Sequence, residues 1–531
     1  MKIELSRIFK NELSRSRQVF VNGCANLLQL AVHIASTFWL TRFLLDQLGP
    51  SVYGMYPLVR TVVELILFLT AIVNLPAGRN LMIEHARDEV ENANVIFNSY
   101  LFGLAGAVAI VAPCLIVVLI MIPHLFSVPA GIEGEVRLLF GAVSLYALLT
   151  ILSTPFSLAT FIRNRLELKN AGAILETVLF IATVALLMRG FDFGLPALSI
   201  GMFVRLSVRV SFDFFMFTKL LPSLRIDISF FRKESLYDIL RQGVWILLSS
   251  VGYYLFTNTD LLIINRVFGS EKTGLYGAIL IFPNTLMAMS GAVSAALNPM
   301  LVEEYARNGQ EATVPKFLQF SRILAVLLAL PFGIICGFLR PLLTFWLGSS
   351  FAVLAPVVLL LMIPQLANLS LTPLVTMRIL RKKVMFAALV YICGGLIKTA
   401  VAIFVAYHAP RDGLLGVAAC HAIFFVVIFN LVMPVYSARI VQKHPLYFLR
   451  SLVAPLACFA VAFIPSVAVT NLFHDTGIVM CGIYAVPICF LYAWVVWSGI
   501  LNGEEKKFIM SRLRPLCGRR FSHRLTERIE S

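Results

Sequence analysis

Ionisable side chains stand inside stretches of this chain that are otherwise hydrocarbon, and any chemistry must start with them. Arg205, Arg209 and Asp213 are spaced four apart, which on a helix sets them on one face. Two guanidiniums on such a face suit an anionic group such as a diphosphate, because each planar fork makes paired hydrogen bonds to phosphate oxygens. The same residues also read as a structural Arg–Asp pair with a second Arg snorkelling toward the inner surface. Arg60 and Glu64 repeat the spacing, and they either neutralise each other as packing or join a transport path. Lys398 stands alone in Gly394-Gly-Leu-Ile-Lys-Thr, so it needs water or a partner. Asp260 would bind a coupling cation, or pair with Lys398 or Arg60 when the outer side closes. The head-group candidates are therefore Arg205, Arg209, Arg60 and Lys398. The coupling or gating candidates are Asp260, Glu64 and Asp213. His33 and His421 read more simply as packed, hydrogen-bonded side chains.

The elements that must position these groups are membrane helices. The composition is 59% hydrophobic and 14% charged, more apolar surface than a soluble core can use. A span needs roughly 20 apolar residues, and counting such runs predicts an all-α integral membrane fold of about 14 helices. They group as an N-lobe at 1–218, a cytoplasmic linker at 219–241, a C-lobe at 242–437, a further helix pair within 451–499 and a basic tail at 500–531. The linker stretch Ile226 to Arg232 reads as an amphipathic piece on the membrane surface. Pro76, Pro113, Pro155, Pro283 and other prolines fall inside the runs, where neighbouring helices satisfy the freed carbonyls.

The net charge of +16 is placed, not spread. Lys and Arg crowd the N-terminus, the even-numbered connections and the tail, which puts both termini in the cytoplasm. No basic helix is interleaved with aromatics, so nucleic acid is not the partner. The nine cysteines lie mostly in apolar runs without a C-x-x-C and read as packing residues. The first residues are basic and polar, which does not read as a signal peptide. No P-loop and no metal spacing such as H-E-x-x-H occurs, and no loop is large enough for a catalytic domain. The chain therefore reads as neither an enzyme nor a metalloprotein, and it needs no cofactor beyond a proton or sodium gradient.

A repeat runs through the chain. Gly49-Pro-Ser-Val-Tyr-Gly54-Met-Tyr56 matches Gly269-Ser-Glu-Lys-Thr-Gly274-Leu-Tyr276 position for position. The register then holds without a gap, so Leu81, Glu84 and Arg87 fall on Leu301, Glu304 and Arg307. Asp260, Ile264, Gly269, Gly274 and Tyr276 resemble the seventh-to-eighth helix signature of the polysaccharide exporters. Those exporters belong to the multidrug/oligosaccharidyl-lipid/polysaccharide flippase superfamily. Leu48 to Tyr56 resembles the matching first-to-second helix signature.

The resemblance implies two six-helix lobes around a central cavity, working by alternating access in a bacterial cytoplasmic membrane. It implies an ion-gradient-driven flippase for undecaprenyl-diphosphate-linked oligosaccharide, serving O-antigen, capsule or exopolysaccharide synthesis. Membrane lipids and a polysaccharide polymerase or export complex are the implied partners. The alternatives are a lipid II-type flippase, a drug/cation antiporter of the same superfamily and, from another class, a membrane glycosyltransferase or polymerase. The antiporter is disfavoured because Glu64, Asp213 and Asp260 stand against the four basic candidates Arg60, Arg205, Arg209 and Lys398. The acidic run from Glu84 to Glu91 has no assigned role.

Overall fold

In a membrane the backbone finds no water to bond with, so it bonds to itself. The computed structural model describes residues 15–67, 89–409, 413–473 and 477–503, with scattered positions in 78–87 and 505–510. Every regular element among the described residues is a helix. The N-terminal basic residues through Lys10, Pro76, His85, Ala86 and Asp88 of the acidic run, and tail residues 511–531 lie outside that set.

The first elements are α1 (Arg15–Tyr53), α2 (Met55–Leu67), α3 (Val90–Leu125), α4 (Glu133–Ile162), α5 (Leu166–Gly190) and α6 (Pro196–Leu220). Then come α7 (Lys233–Ile279), α8 (Ile281–Ala312), α9 (Val314–Gly337), α10 (Leu339–Leu347), α11 (Ala355–Ser370) and α12 (Thr372–Leu380). The last are α13 (Met385–His408), α14 (Gly413–Phe425), α15 (Met433–Ile440), α16 (Val453–Leu472) and α17 (Ile478–Val495). A π-helical stretch, Val426–Val432, joins α14 to α15. Among the described residues, 11 helical stretches are long and apolar enough to cross a membrane. The seventh and eighth predicted spans fall within one of them, Val244–Ser294. The sixth, α6, carries Arg205, Arg209, Asp213 and Lys219, too many charges to count as plain hydrocarbon. The second is described only as far as Leu67.

The chain forms two compact units. Unit 1 is Met1–Ile281 with Val384–Phe424, and unit 2 is Phe282–Lys383 with Phe425–Ser531. All the candidate residues lie in unit 1. The chain passes between units at the break before α8, at the turn before α13, and where α14 widens into π-helix.

Both copies of the repeat signature also lie in unit 1, and they share one backbone. Gly49 has φ 72° and ψ 166°, and Gly269 has φ 82° and ψ −178°. Both are left-handed conformations that only glycine adopts without strain. Each kinks an otherwise continuous helical path, so the polar turn after Asp260 is a bend in α7 rather than a loop. The next glycines of the motif face each other. A Cβ on Gly274 would lie 1.8 Å from the Pro50 carbonyl oxygen, and one on Gly54 would lie 2.7 Å from the Gly274 nitrogen. Ser51 and Ser270 share a hydroxyl–hydroxyl hydrogen bond of 2.6 Å beside them. The second matched stretch agrees in burial, with Leu81 and Leu301 both sealed.

The linker is strapped to α3. Asn94 accepts from the Arg225 N–H at 2.8 Å, and Asn98 accepts from the Asp227 N–H at 3.0 Å. Asn98 also donates to the Arg225 carbonyl at 2.8 Å, and the Ser99 hydroxyl accepts from the Arg232 N–H at 3.0 Å. These side chains supply the partners that an extended backbone would otherwise lack. The predicted linker at 219–241 is shorter in the structure, because α7 already begins at Lys233; between α6 and α7 only Ile228–Phe230 is helical, a single 3-10 turn, with Ile226 and Ile228 exposed. The apolar residues are thus presented by a strapped, extended segment instead of an amphipathic helix.

Candidate functional site

The candidates fall into a ladder of ion pairs within unit 1. On α6, the Arg209 Nε donates to Asp213 Oδ2 at 2.8 Å, and the Ser153 hydroxyl of α4 donates to the same oxygen at 3.2 Å. The four-residue spacing thus forms the pair it predicts. Sequence reasoning missed the second acid, Glu176 on α5. Its Oε1 accepts from Arg205 Nη2 at 3.1 Å, and its Oε2 lies 3.6 Å from Arg209 Nη1. Glu176 is 4% exposed. Arg205 also stacks over the rings of Tyr146 and Phe180, at 5.1 and 5.6 Å. Arg205 Nε and Glu176 Oε2 are both buried without a hydrogen-bond partner among the described residues. In low dielectric such open positions are costly, and they are where a further ligand gains most.

Arg60 and Glu64 pair with each other on α2 at 2.6 Å, and among the described residues neither is joined to Asp260 by an ion pair. The Tyr254 hydroxyl of α7 donates to the Thr61 carbonyl at 2.8 Å and lies 3.4 Å from Glu64. Arg60 keeps 59% of its side-chain surface exposed. His33 of α1 lies within electrostatic reach of both Arg60 and Arg205.

Asp260 is sealed. It pairs with Lys398 of α13, one of the two partners the sequence offers, and accepts from His421 Nδ1 of α14 at 2.8 Å. The Lys398 ammonium also donates to the Phe256 carbonyl at 3.0 Å and points at the Thr259 hydroxyl at 3.5 Å. Lys398 itself is 0% exposed. The signature residue Tyr276 is buried beside Asp260 and coupled to it electrostatically. His421, set aside in the sequence reading as a packed side chain, is a partner of the central acid. A buried pair of this kind stabilises little over hydrocarbon, but losing one partner costs about 3–5 kcal/mol.

The four basic candidates therefore do not form an open cationic wall. Arg60, Arg205, Arg209 and Lys398 each have an acid, and the acids are Glu64, Glu176, Asp213 and Asp260. Among the described residues no cluster of His, Cys, Asp or Glu fits a metal ion.

The solved structures that share this helical fold are membrane transporters. The MATE multidrug transporter DinF-BH matches at TM-score 0.61, 14% identity, over 81% of this chain and 98% of that one. An inward-facing MATE family transporter of the MOP superfamily matches at TM-score 0.54 and 14% identity, over 79% of this chain and 99% of that one. These proteins are transporters rather than enzymes, and the chain is a multi-pass membrane protein of their fold. The family model described as "Polysaccharide biosynthesis protein" matches residues 40–356, and the chain belongs to that family. "Uncharacterized membrane protein EpsK" of Bacillus subtilis (strain 168) is 25% identical over 518 residues, covering 94% of this chain and 98% of the relative. The resemblance read from Asp260 to Tyr276 and from Leu48 to Tyr56 leads to the same family.

Proposed function

We propose that this chain carries an oligosaccharide, linked through a diphosphate to undecaprenol, from the cytoplasmic to the outer leaflet of a bacterial inner membrane. It works by alternating access between lobes at 1–218 and 242–437, powered by an ion gradient, with both termini cytoplasmic. The observation that carries this reading is the Arg205–Glu176–Arg209–Asp213 cluster, with its open Arg205 Nε. A diphosphate offers more acceptor oxygens than one carboxylate, and can take Arg205 and Arg209 by exchange of partners. The Gly54–Gly274 contact supports alternating access, since two bends pressed together can part as a unit. Asp260, Lys398 and His421 tie α13 and α14 to α7 within the second lobe, so that its helices move as one body. Lipid-linked sugar and membrane lipids are the partners, with a polymerase or export complex as a further one.

The test is a deletion strain in which surface polysaccharide and undecaprenyl-linked glycans are both quantified. Loss of surface polymer with an intact, accumulating lipid-linked unit supports translocation, whereas a missing or truncated unit places the protein in synthesis. Strains carrying Arg205→Ala with Arg209→Ala should export less than a tenth of the wild-type polymer; full export would remove the diphosphate from this site. A second reading, export of lipophilic cations, gains from Glu176, which balances the acids against the bases. Resistance to such cations on overexpression, without any polysaccharide defect on deletion, would favour it.

A further inference from the structure

We infer that unit 1 holds an anionic phospholipid on its flank, with an acyl chain in a groove between α3, α4 and α6 and the head-group phosphate on Arg137. The groove has a volume of about 670 Å³ and is lined by Ile120 of α3, Leu138, Gly141 and Leu145 of α4, and Phe203 of α6. That volume falls in the range of roughly 300–1,000 Å³ that holds small ligands. The walls are hydrocarbon, and Arg137 is the one charged side chain in the lining. Ile120, Leu138, Leu145 and Phe203 are all exposed, so the groove opens to the surroundings of the helices. Gly141 leaves its floor open, since a Cβ built there would meet nothing within 4 Å. Glycine is a poor helix former, and this one gains no close helix approach in return.

The helix α4 begins at Glu133, so Arg137 lies one turn, about 6 Å, from its end. From there its stem follows the apolar surface while the guanidinium reaches the polar layer. Arg137 is exposed, and among the described residues it has no ion pair and no side-chain hydrogen bond. Glu133 and Glu135 share the first turn without pairing with it; Glu135 lies toward the α5–α6 connection, its Oε2 4.0 Å from where a Cβ on Gly194 would stand. The guanidinium fork therefore has its donors free for phosphate oxygens. A zwitterionic head group brings its own cation to that phosphate, so an anionic one is preferred. The carried lipid is not the occupant. Phe203 and Arg205 stand two residues apart on α6, about 200° around the helix. Phe203 lines the groove and Arg205 meets Glu176, so the groove and the ion-pair cluster lie on opposite sides of α6. Lipid capture at this flank is independent of what the carrier moves. The lipid braces the α3–α4 hairpin, whose loop is tied to α7: the Ser127 N–H donates to Asn265 Oδ1 at 2.9 Å, and the Asn265 amide donates to the Ser127 carbonyl at 3.3 Å.

The experiment uses the full chain in detergent, with native mass spectrometry counting the lipids retained from an equimolar mixture of phosphatidylglycerol and phosphatidylcholine. The wild type should retain one phosphatidylglycerol about fivefold over phosphatidylcholine, the worth of one arginine at an anionic head group. Arg137→Gln should abolish that preference. Arg340→Gln, which removes an exposed arginine from α10 in unit 2, should keep it. Gly141→Phe fills the groove from a position whose Cβ meets no neighbour, and should lower phosphatidylglycerol to the phosphatidylcholine level. Equal retention of the two lipids by the wild type would overturn the inference. So would a preference that survives Arg137→Gln or Gly141→Phe, or one that is lost in Arg340→Gln. Displacement of phosphatidylglycerol by undecaprenyl phosphate at equal concentration would give the groove to the carried lipid, overturning the phospholipid assignment while the flippase reading stands.

Discussion

Unit 1 and unit 2 solve the same packing problem with different materials. Helices in lipid gain nothing from hiding hydrocarbon, so they associate through close approach of small residues or through polar contacts. Unit 2 takes the first route. Gly333 and Gly337 of α9 press on Ala462 and Ser466 of α16, where a Cβ would come within 2.5 and 2.2 Å. Phe317, Phe320, Leu374 and Phe448 pack into an apolar cluster; of the ion pairs described in this unit, Arg322–Glu505 is half-open on the Arg side and Arg307–Glu303 is exposed. Unit 1 also has close glycines, as at Gly201 on Phe180, yet it adds four ion pairs inside. Unit 2 shows that the chain can be held without them. Unit 1 therefore ties its helices with ion pairs where unit 2 relies mainly on close approach.

The largest expected effect follows from the sealed pair. Lys398→Met leaves Asp260 buried beside His421 with no ammonium, and should cost about 3–5 kcal/mol of stability in a detergent or bicelle unfolding assay. Adding Asp260→Asn should recover most of that loss but not transport. If the double variant transported normally, the Asp260–Lys398 pair would serve packing alone, and the contrast between the units would collapse.

Glycines sharpen the comparison from the other side. Gly274→Ala and Gly337→Ala both meet neighbours inside contact distance, and each should cost about 1–3 kcal/mol. Gly274→Ala drives a methyl into the Pro50 carbonyl, so it should also hold the two bends apart and abolish polysaccharide export. Gly337→Ala, at equal loss of stability, should leave export within about twofold of wild type, since the groups its methyl would meet, on Phe463 and Ser466, carry no charge. Equal loss of export in both would mean that the Gly54–Gly274 contact has no role beyond packing.

Much of this was legible in the sequence, and the limits have physical causes. Glycine spacing survives duplication because the backbone at Gly49 and Gly269 tolerates nothing else, so a position-by-position match found the repeat. Arg209–Asp213 and Arg60–Glu64 were readable because helix geometry is local. Glu176 lies 29 residues from Arg205, and His421 lies 161 from Asp260, distances over which periodicity says nothing. A signal for Glu176 did exist: it is a carboxylate inside an apolar run, the same reason Asp213 stood out. The strap on the linker was hidden for another cause. Asn94, Asn98 and Ser99 look like ordinary polar residues on a helix, and only the path of residues 223–232 shows what they hold.

That strap gives the two smallest effects, both outside the charged interior. Asn98→Ala removes a buried side chain that serves both a linker N–H and a linker carbonyl, for a loss of about 1–3 kcal/mol. Hydrogen exchange should show the linker amides of Asp227 and its neighbours losing protection while α13 and α14 keep theirs. Asp227 is smaller still. The Ser229 N–H, bonded to its carboxylate at 2.8 Å, holds that carboxyl below the usual carboxylate range. The folded value is depressed, so this contribution is complete above the unfolded value of about 3.9 and fades as pH falls through the lower folded one. At pH 7, then, Asp227→Asn should speed exchange at Ser229 and leave melting temperature and export unchanged. A measurable fall in export would make the linker part of the transport cycle, and unit 1 would then work through its strap as well as through its charges.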